Sequence, residues 1–120
     1  AIESAMKIAL RNRKGSKEFI ALWDAYHGTI FSAAGASWIA TQATGQFTGQ
    51  LNFLPMLPTV QRVPNPYCYR CYFGQQPDSC DLMCAEMLRH TFQRGVNGPA
   101  AGVGTDPGER WPDYLPQALP

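Results

Sequence analysis

The sequence predicts an α/β fold in the order helix–strand–helix, proline-rich loop, helix, strand. Three observations predict it. An apolar stripe at helical spacing opens the chain, and a short apolar run, "EFIALW", follows a basic turn. A second helix-like segment near residue 80 then leads into the apolar "GPAAGV". Helices alternating with short, nearly continuous apolar strands are the mark of a parallel sheet covered by helices. At 120 residues and 45% apolar composition, the chain amounts to one domain at most.

In the first element, Ile2, Ala5, Met6, Ala9 and Leu10 follow the i, i+3, i+4, i+7, i+8 spacing of an amphipathic helix. Arg11, Arg13 and Lys14 occupy its last turn, where cations complement the helix dipole, and Gly15 stands where a closing glycine is expected. No Ser, Thr, Asp or Asn precedes the stripe. Either the helix opens the chain uncapped, or the chain begins inside a larger protein. "EFIALW" reads as a strand buried on both faces, and helix, turn and strand together make half of a βαβ unit.

After it, "TIFSAAGASWIA" predicts a short helix whose small residues allow close packing. Over residues 45–76, prolines at 55, 58, 64 and 66 forbid long elements, and an extended excursion is expected. "SCDLMCAEMLRHTFQRG" then reads as a helix. Ser79 would be its N-cap, Asp81 would lie in the first turn, and Gly95 would end it. Its expected buried face is Cys84, Met87, Leu88, Thr91 and Phe92. "GPAAGV" starts another buried strand, and no internal repeat is visible.

Composition excludes some partners. Charged residues make up 16%, against about a quarter in ordinary soluble proteins, and the formal net charge is +1. No overall field recruits nucleic acid or an anionic membrane, and "RNRKGSK" reads as a solvated helix end. No apolar run approaches the roughly 20 residues that span a bilayer, and no signal-peptide pattern is present. A cytoplasmic chain with neither nucleic-acid nor membrane partners is the expectation.

Four cysteines, Cys68, Cys71, Cys80 and Cys84, form C-x2-C-x8-C-x3-C. The first pair falls on a loop and the second is i, i+4 on one helix face, which could meet a tetrahedral zinc. A small zinc-binding interaction module is therefore one reading of the chain. The competing reading is four reduced, half-buried thiols, with disulfides disfavoured without a secretory signal.

The two histidines differ. His90 falls on the charged side of its helix beside Arg89 and is expected to be exposed. His27 belongs to Tyr26-His27-Gly28, just past a predicted strand. Ligands of open α/β sheets bind at the carboxyl ends of strands. There Gly28 allows close backbone approach, and Tyr26 offers a flat ring for stacking. On spacing alone, a structural turn competes with a ligand site. No G-x-S-x-G, Walker loop, H-E-x-x-H or G-x-G-x-x-G is present. Lys7, Lys14 and Lys17 lie on the first helix or the turn beside it, and none stands at a strand exit suited to a Schiff base.

Together, "AIESAMKIALRNRKG", "FIALWDAYHGTIFSAAGAS" and "NPYCYRCYFGQQPDSCDLMCAEML" resemble the class-III aminotransferases, which use pyridoxal phosphate (PLP). The closest flavour is that of the 2,2-dialkylglycine decarboxylases and 4-aminobutyrate aminotransferases. Order and spacing of several separate motifs carry the resemblance, over residues 1–103. It implies a partial type I large domain, PLP as cofactor, and amino-group transfer between amino acids and 2-oxo acids, decarboxylating in some members. It also implies a homodimer. Tyr26 would stack on the cofactor ring, with His27 and Gly28 shaping the turn that lets it do so, whereas Trp23 and Asp24 receive no role. The family's phosphate-binding turn would precede residue 1, which would then lie within the helix.

The family's later Glu-Pro, its pyridinium-binding Asp and its Schiff-base lysine find no match, so no catalytic residue is assigned. Residues 104–120 form a tail unlike the family, "GTDPGERWPDYLPQALP". Codons compatible with this tail, read one nucleotide out of frame, give E-P-I-Q-A-S-G-G-Q-I-I-F-P-K-R-Y, which is family-like. The tail is therefore expected to be frame-shifted, and the isolated chain to be inactive.

Overall fold

The computed structural model describes residues 1–38 and 59–104. Part of the predicted second helical segment (39–40), residues 45–58 of the proline-rich stretch, and residues 105–120 of the tail lie outside the described residues. Six main elements are found. They are α1 (Ile2–Asn12), β1 (Glu18–Leu22), α2 (Phe31–Ala36), β2 (Val60–Val63), α3 (Met83–His90) and β3 (Ala100–Gly104). Short 3-10 turns at Cys68–Arg70 and Pro77–Ser79 precede α3, and a wide π turn, Thr91–Gly95, follows it.

The three strands form one parallel sheet in the order β2-β1-β3. The central strand is the continuous apolar run, and all five of its residues are buried. Both faces of a parallel sheet are covered, so a strand needs no polar face there. Ile20 and Leu22 join Ala25, Val63, Leu88 and Ala100 in the core, with Phe92 and Val96 packed against it. Leu88 places α3 on that face. On the other side, Phe19 and Ala9 both approach Gly102, so α1 lies over β3 where no side chain intervenes.

Within the expected extended excursion, β2 is a short strand that the sequence does not single out. It is a four-residue strand between Pro58 and Pro64, and Phe19 to Leu22 pair in register with Val60 to Val63. Its polar side chains reach partners far away in sequence, although Arg62 Nε is buried without one. Gln61 reaches Glu18 (3.5 Å), and Arg62 donates to the Gly35 carbonyl oxygen at 2.6 Å.

Helix boundaries also shift. Ser79 closes a 3-10 turn instead of capping α3, which starts at Met83 after Leu82 in a left-handed conformation (φ 54°). Of the expected buried face Leu88 is fully buried, Cys84, Thr91 and Phe92 are half-buried, and Met87 is exposed. His90 is exposed, as expected. β3 runs through Gly104, which pairs with Ala21. α1 ends at Asn12, and Gly15 adopts the positive φ (83°) that closes the turn into β1. No helix among the described residues is long and apolar enough to cross a membrane.

Candidate functional site

Residues 23–28 leave the carboxyl end of the central strand, the side of an open parallel sheet where ligands bind. The turn alternates burial. Ala25 is fully buried and anchors it, whereas Tyr26 is 54% exposed and His27 is half-buried. Tyr26 thus stands partly exposed just past the strand end and is not among the buried core residues. Gly28 has φ +112°, a conformation that strains any residue with a β-carbon.

The turn is held from behind by Ser37, itself fully buried. The His27 amide donates to Ser37 Oγ at 2.8 Å, and that hydroxyl lies 2.9 Å from the Gly28 carbonyl oxygen and 3.0 Å from that of Ala33. One hydroxyl proton serves these two acceptors in turn. The Trp38 amide donates to the Ala25 carbonyl oxygen at 2.7 Å. A six-residue helix is marginal alone, and α2 depends on other elements at both ends. Glu3 Oε1 of α1 accepts from the Ser32 and Ala33 amides (2.9 and 3.2 Å), and Arg62 of β2 takes the Gly35 carbonyl. Burial pushes the Glu3 carboxyl up, but those two amides and Lys7 outweigh it and leave its pKa lowered. The Arg62 guanidinium is lowered by burial.

Beside the turn lies a cleft of about 280 Å³, lined by the α1 stripe residues Ile2, Ala5, Met6 and Ala9 and by His27 and Gly104. The stripe read from the sequence thus flanks an opening instead of sealing a core, and no α1 residue is fully buried. His27 closes one side against β3. A β-carbon on Gly104 would stand 3.0 Å from His27 Nε2, so a side chain there would displace the imidazole.

Trp23 and Asp24, which receive no role by resemblance, hold the cysteine-bearing loop. Tyr72 Oη donates to Asp24 Oδ2 at 2.7 Å, and its ring meets Trp23 edge-on with centroids 5.1 Å apart. Trp38 also packs against Trp23, tilted with centroids 5.5 Å apart, and the Tyr67 ring centroid lies 6.3 Å from that of Tyr72. Asp24 adopts φ 63° to make this contact. The Tyr72 phenol is pushed up to about 12, first by burial and then by its bond to Asp24. Aromatic residues 49 apart in sequence leave no local signal of their pairing.

The zinc reading does not hold. Cys68, Cys71, Cys80 and Cys84 are all free and line one cavity, yet no three His, Cys, Asp or Glu side chains among the described residues are placed to hold a metal. Cys68, Cys71 and Cys80 all precede α3, and Cys80 shares no helix face with Cys84 because the helix starts at Met83.

No family model matches the chain. It is 33% identical over 114 residues to an adenosylmethionine-8-amino-7-oxononanoate aminotransferase of Geobacter sulfurreducens, a match covering 89% of this chain and 23% of that protein. A protein of the same name from Nitratidesulfovibrio vulgaris is 28% identical over 101 residues, covering 75% of this chain and 17% of the relative. A leucine/methionine racemase of Thermococcus litoralis is 32% identical over 62 residues, covering 52% and 14%. The chain thus spans less than a quarter of the length of the curated relatives it matches. The similarities reach the superfamily of the class-III PLP-dependent aminotransferases, distantly and over part of each relative, and no narrower family.

Proposed function

We propose that this chain is a piece of the PLP-binding domain of an aminotransferase, with the carboxyl end of its sheet as one wall of the cofactor site. One observation carries the reading. The ring of Tyr26 is more than half exposed at the exit of a central parallel strand, on a backbone clamped by a buried serine. A flat ring on a fixed turn is a stacking surface whose orientation is already set.

The other residues present fit the same group. Gly28 keeps the turn free of a β-carbon where a ligand would pass. PLP, when bound, supplies an electron sink for the carbanion formed as a substrate bond breaks. Tyr26 would hold a heterocycle flat, His27 would brace the turn against β3, and Ser37 would fix the backbone between them. The substrates of the whole enzyme would be amino acids and 2-oxo acids, and its assembly a homodimer.

The chain lacks a lysine for covalent attachment at this turn. Lys14 and Lys17 precede β1, whose five residues span about 17 Å at 3.3–3.4 Å each, and Lys7 lies midway along α1. The chain as given should therefore not transfer amino groups by itself. Its tail is read here as out-of-frame translation after Val103, and the nucleotide sequence past that codon tests this directly. The shifted frame should continue into aminotransferase-like sequence that includes a lysine at a strand exit. Expressed in that frame, the enzyme should retain PLP and transfer amino groups, and Tyr26→Ala should weaken retention by about tenfold. A shifted frame without such sequence removes the tail reading. Unchanged cofactor retention in Tyr26→Ala removes the stacking role.

A further inference from the structure

All four cysteines line one cavity of about 90 Å³ under the aromatic loop. Cys68 and Cys71 come from the 3-10 turn Cys68–Arg70 and its end, Cys80 precedes α3, and Cys84 lies in the first turn of α3. Their surroundings differ: Cys68 is exposed and the other three are half-buried. Burial pushes the Cys84 thiol up, the amides of Ala85 and of Cys84 itself pull it back, and charge on Cys68 and Cys80 pushes it up again. Cys68 on the loop and Cys84 on α3 line the same cavity, and Cys68 is the one of the four that is exposed to solvent. Three sulfurs do not meet at a metal, but thiol–disulfide exchange needs only two.

We propose that Cys68 and Cys84 are a reversible thiol pair, oxidised by low-molecular-weight disulfides, that staples the aromatic loop to α3. The proposal does not depend on the cofactor reading. The exposed Cys68 reacts first: its thiolate attacks a disulfide R–S–S–R, a Cys68–S–S–R bond forms, and one R–S⁻ leaves with the bonding pair. Cys84 then gives its proton to solvent and attacks Cys68 Sγ. The Cys68–Cys84 bond forms and the second R–S⁻ leaves. Two protein thiols lose two electrons, one small disulfide becomes two thiols, and the protons released from the cysteines balance the departing thiolates. The stapled loop carries Tyr72, which holds Asp24 two residues before Tyr26, so oxidation would lock the loop behind the strand-exit turn.

The full 120-residue chain, reduced and then incubated with glutathione disulfide, tests this by peptide mapping under non-reducing conditions. The expected main product is a Cys68–Cys84 cross-link that dithiothreitol reverses and that is lost from dominance when the reaction runs in urea. Cys84→Ser should leave a glutathione adduct on Cys68 that does not resolve, and Cys71→Ser should keep the cross-link. A dominant Cys68–Cys71 bond, a lasting adduct on Cys68 in the unsubstituted chain, or equal cross-linking in folded and unfolded protein would each overturn the proposal. The map of the unsubstituted chain decides the matter however the variants fold.

Discussion

The two ends of β1 use polar side chains in opposite ways. At the amino end Glu18 is only 7% exposed and its carboxylate is fully engaged. It accepts from the Asn97 amide N–H at 3.1 Å and the Asn97 side-chain amide at 2.8 Å, with Gln61 at 3.5 Å. One residue from each neighbouring segment is consumed, and that end of the sheet is sealed. At the carboxyl end the hydrogen bonds run from behind, through Ser37, or to the flank, through Asp24 and Tyr72. The Tyr26 ring is left outward. A buried polar group must be matched, and at the amino end the matching serves only the fold. At the carboxyl end it fixes the backbone of a turn on which Tyr26 is 54% exposed.

The strand joining the two ends should matter most. Ile20 is fully buried beside Val63, Leu88 and Ala100, so Ile20→Ala removes packing on which both ends depend. A loss of about 3 kcal/mol in urea unfolding is expected, with little change in m-value. If the chain tolerates it within 1 kcal/mol, the sheet is not the frame that sets the two ends.

The next test separates the ends by acid. The Asn97 side chain, then its backbone amide, hold the Glu18 carboxyl below its ordinary value against the opposing effect of burial. A carboxyl lowered on folding stabilises fully above its unfolded pKa, roughly 4.3, and that contribution is lost as pH falls through the lowered value. Glu18→Gln should lower stability at neutral pH by less than Ile20→Ala and flatten the acid limb of the stability–pH curve. An unchanged acid limb would mean that the sealed end contributes nothing to acid sensitivity.

A smaller effect is expected at the flank of the open end. Tyr72→Phe removes the hydroxyl that Asp24 accepts, at a cost of at most about 1 kcal/mol because the pair is exposed. The Tyr72 phenol is raised to about 12. Its neutral form is therefore the one the fold favours, and its contribution is intact below the unfolded pKa, roughly 10, and lost as pH rises toward the folded value. The alkaline limb should move in Tyr72→Phe, and near-ultraviolet dichroism of Trp23 should report the loosened loop.

The open end was easier to read from the sequence than what supports it. β1 was legible because an uninterrupted apolar run after a basic turn has few other uses, and α1 because its stripe repeats at helical spacing. The turn at residues 26–28 was legible just past that strand, but spacing alone left a structural turn competing with a ligand site, and only the resemblance gave Tyr26 a stacking role. β2 was not legible: Gln61 and Arg62 look like loop residues until Glu18 and the Gly35 carbonyl are brought beside them. The start of α3 misled because Ser79 carries the capping signature, while a left-handed Leu82 sets the boundary. The clamps by Ser37, Asn97 and Tyr72 join residues 10, 79 and 48 positions apart, distances over which one sequence carries no pairing signal.

The smallest stability effect should fall on the residue with the largest functional claim. Tyr26 is 54% exposed, so it keeps about half of its contact with water, and the backbone of its turn is secured by Ala25 and Ser37. Tyr26→Ala should change stability by no more than about 0.5 kcal/mol, the range of a surface substitution. Ser37→Ala, by contrast, strands the His27 amide and frees the turn, and should cost about 1–2 kcal/mol. Urea titrations of the two variants side by side measure the difference. If Tyr26→Ala destabilises as much as Ser37→Ala, the ring is a structural plug and the open end of the sheet is open only in appearance. If the two separate as expected, the turn is built to hold a ring it does not need for folding, and some other surface must be what that ring is for.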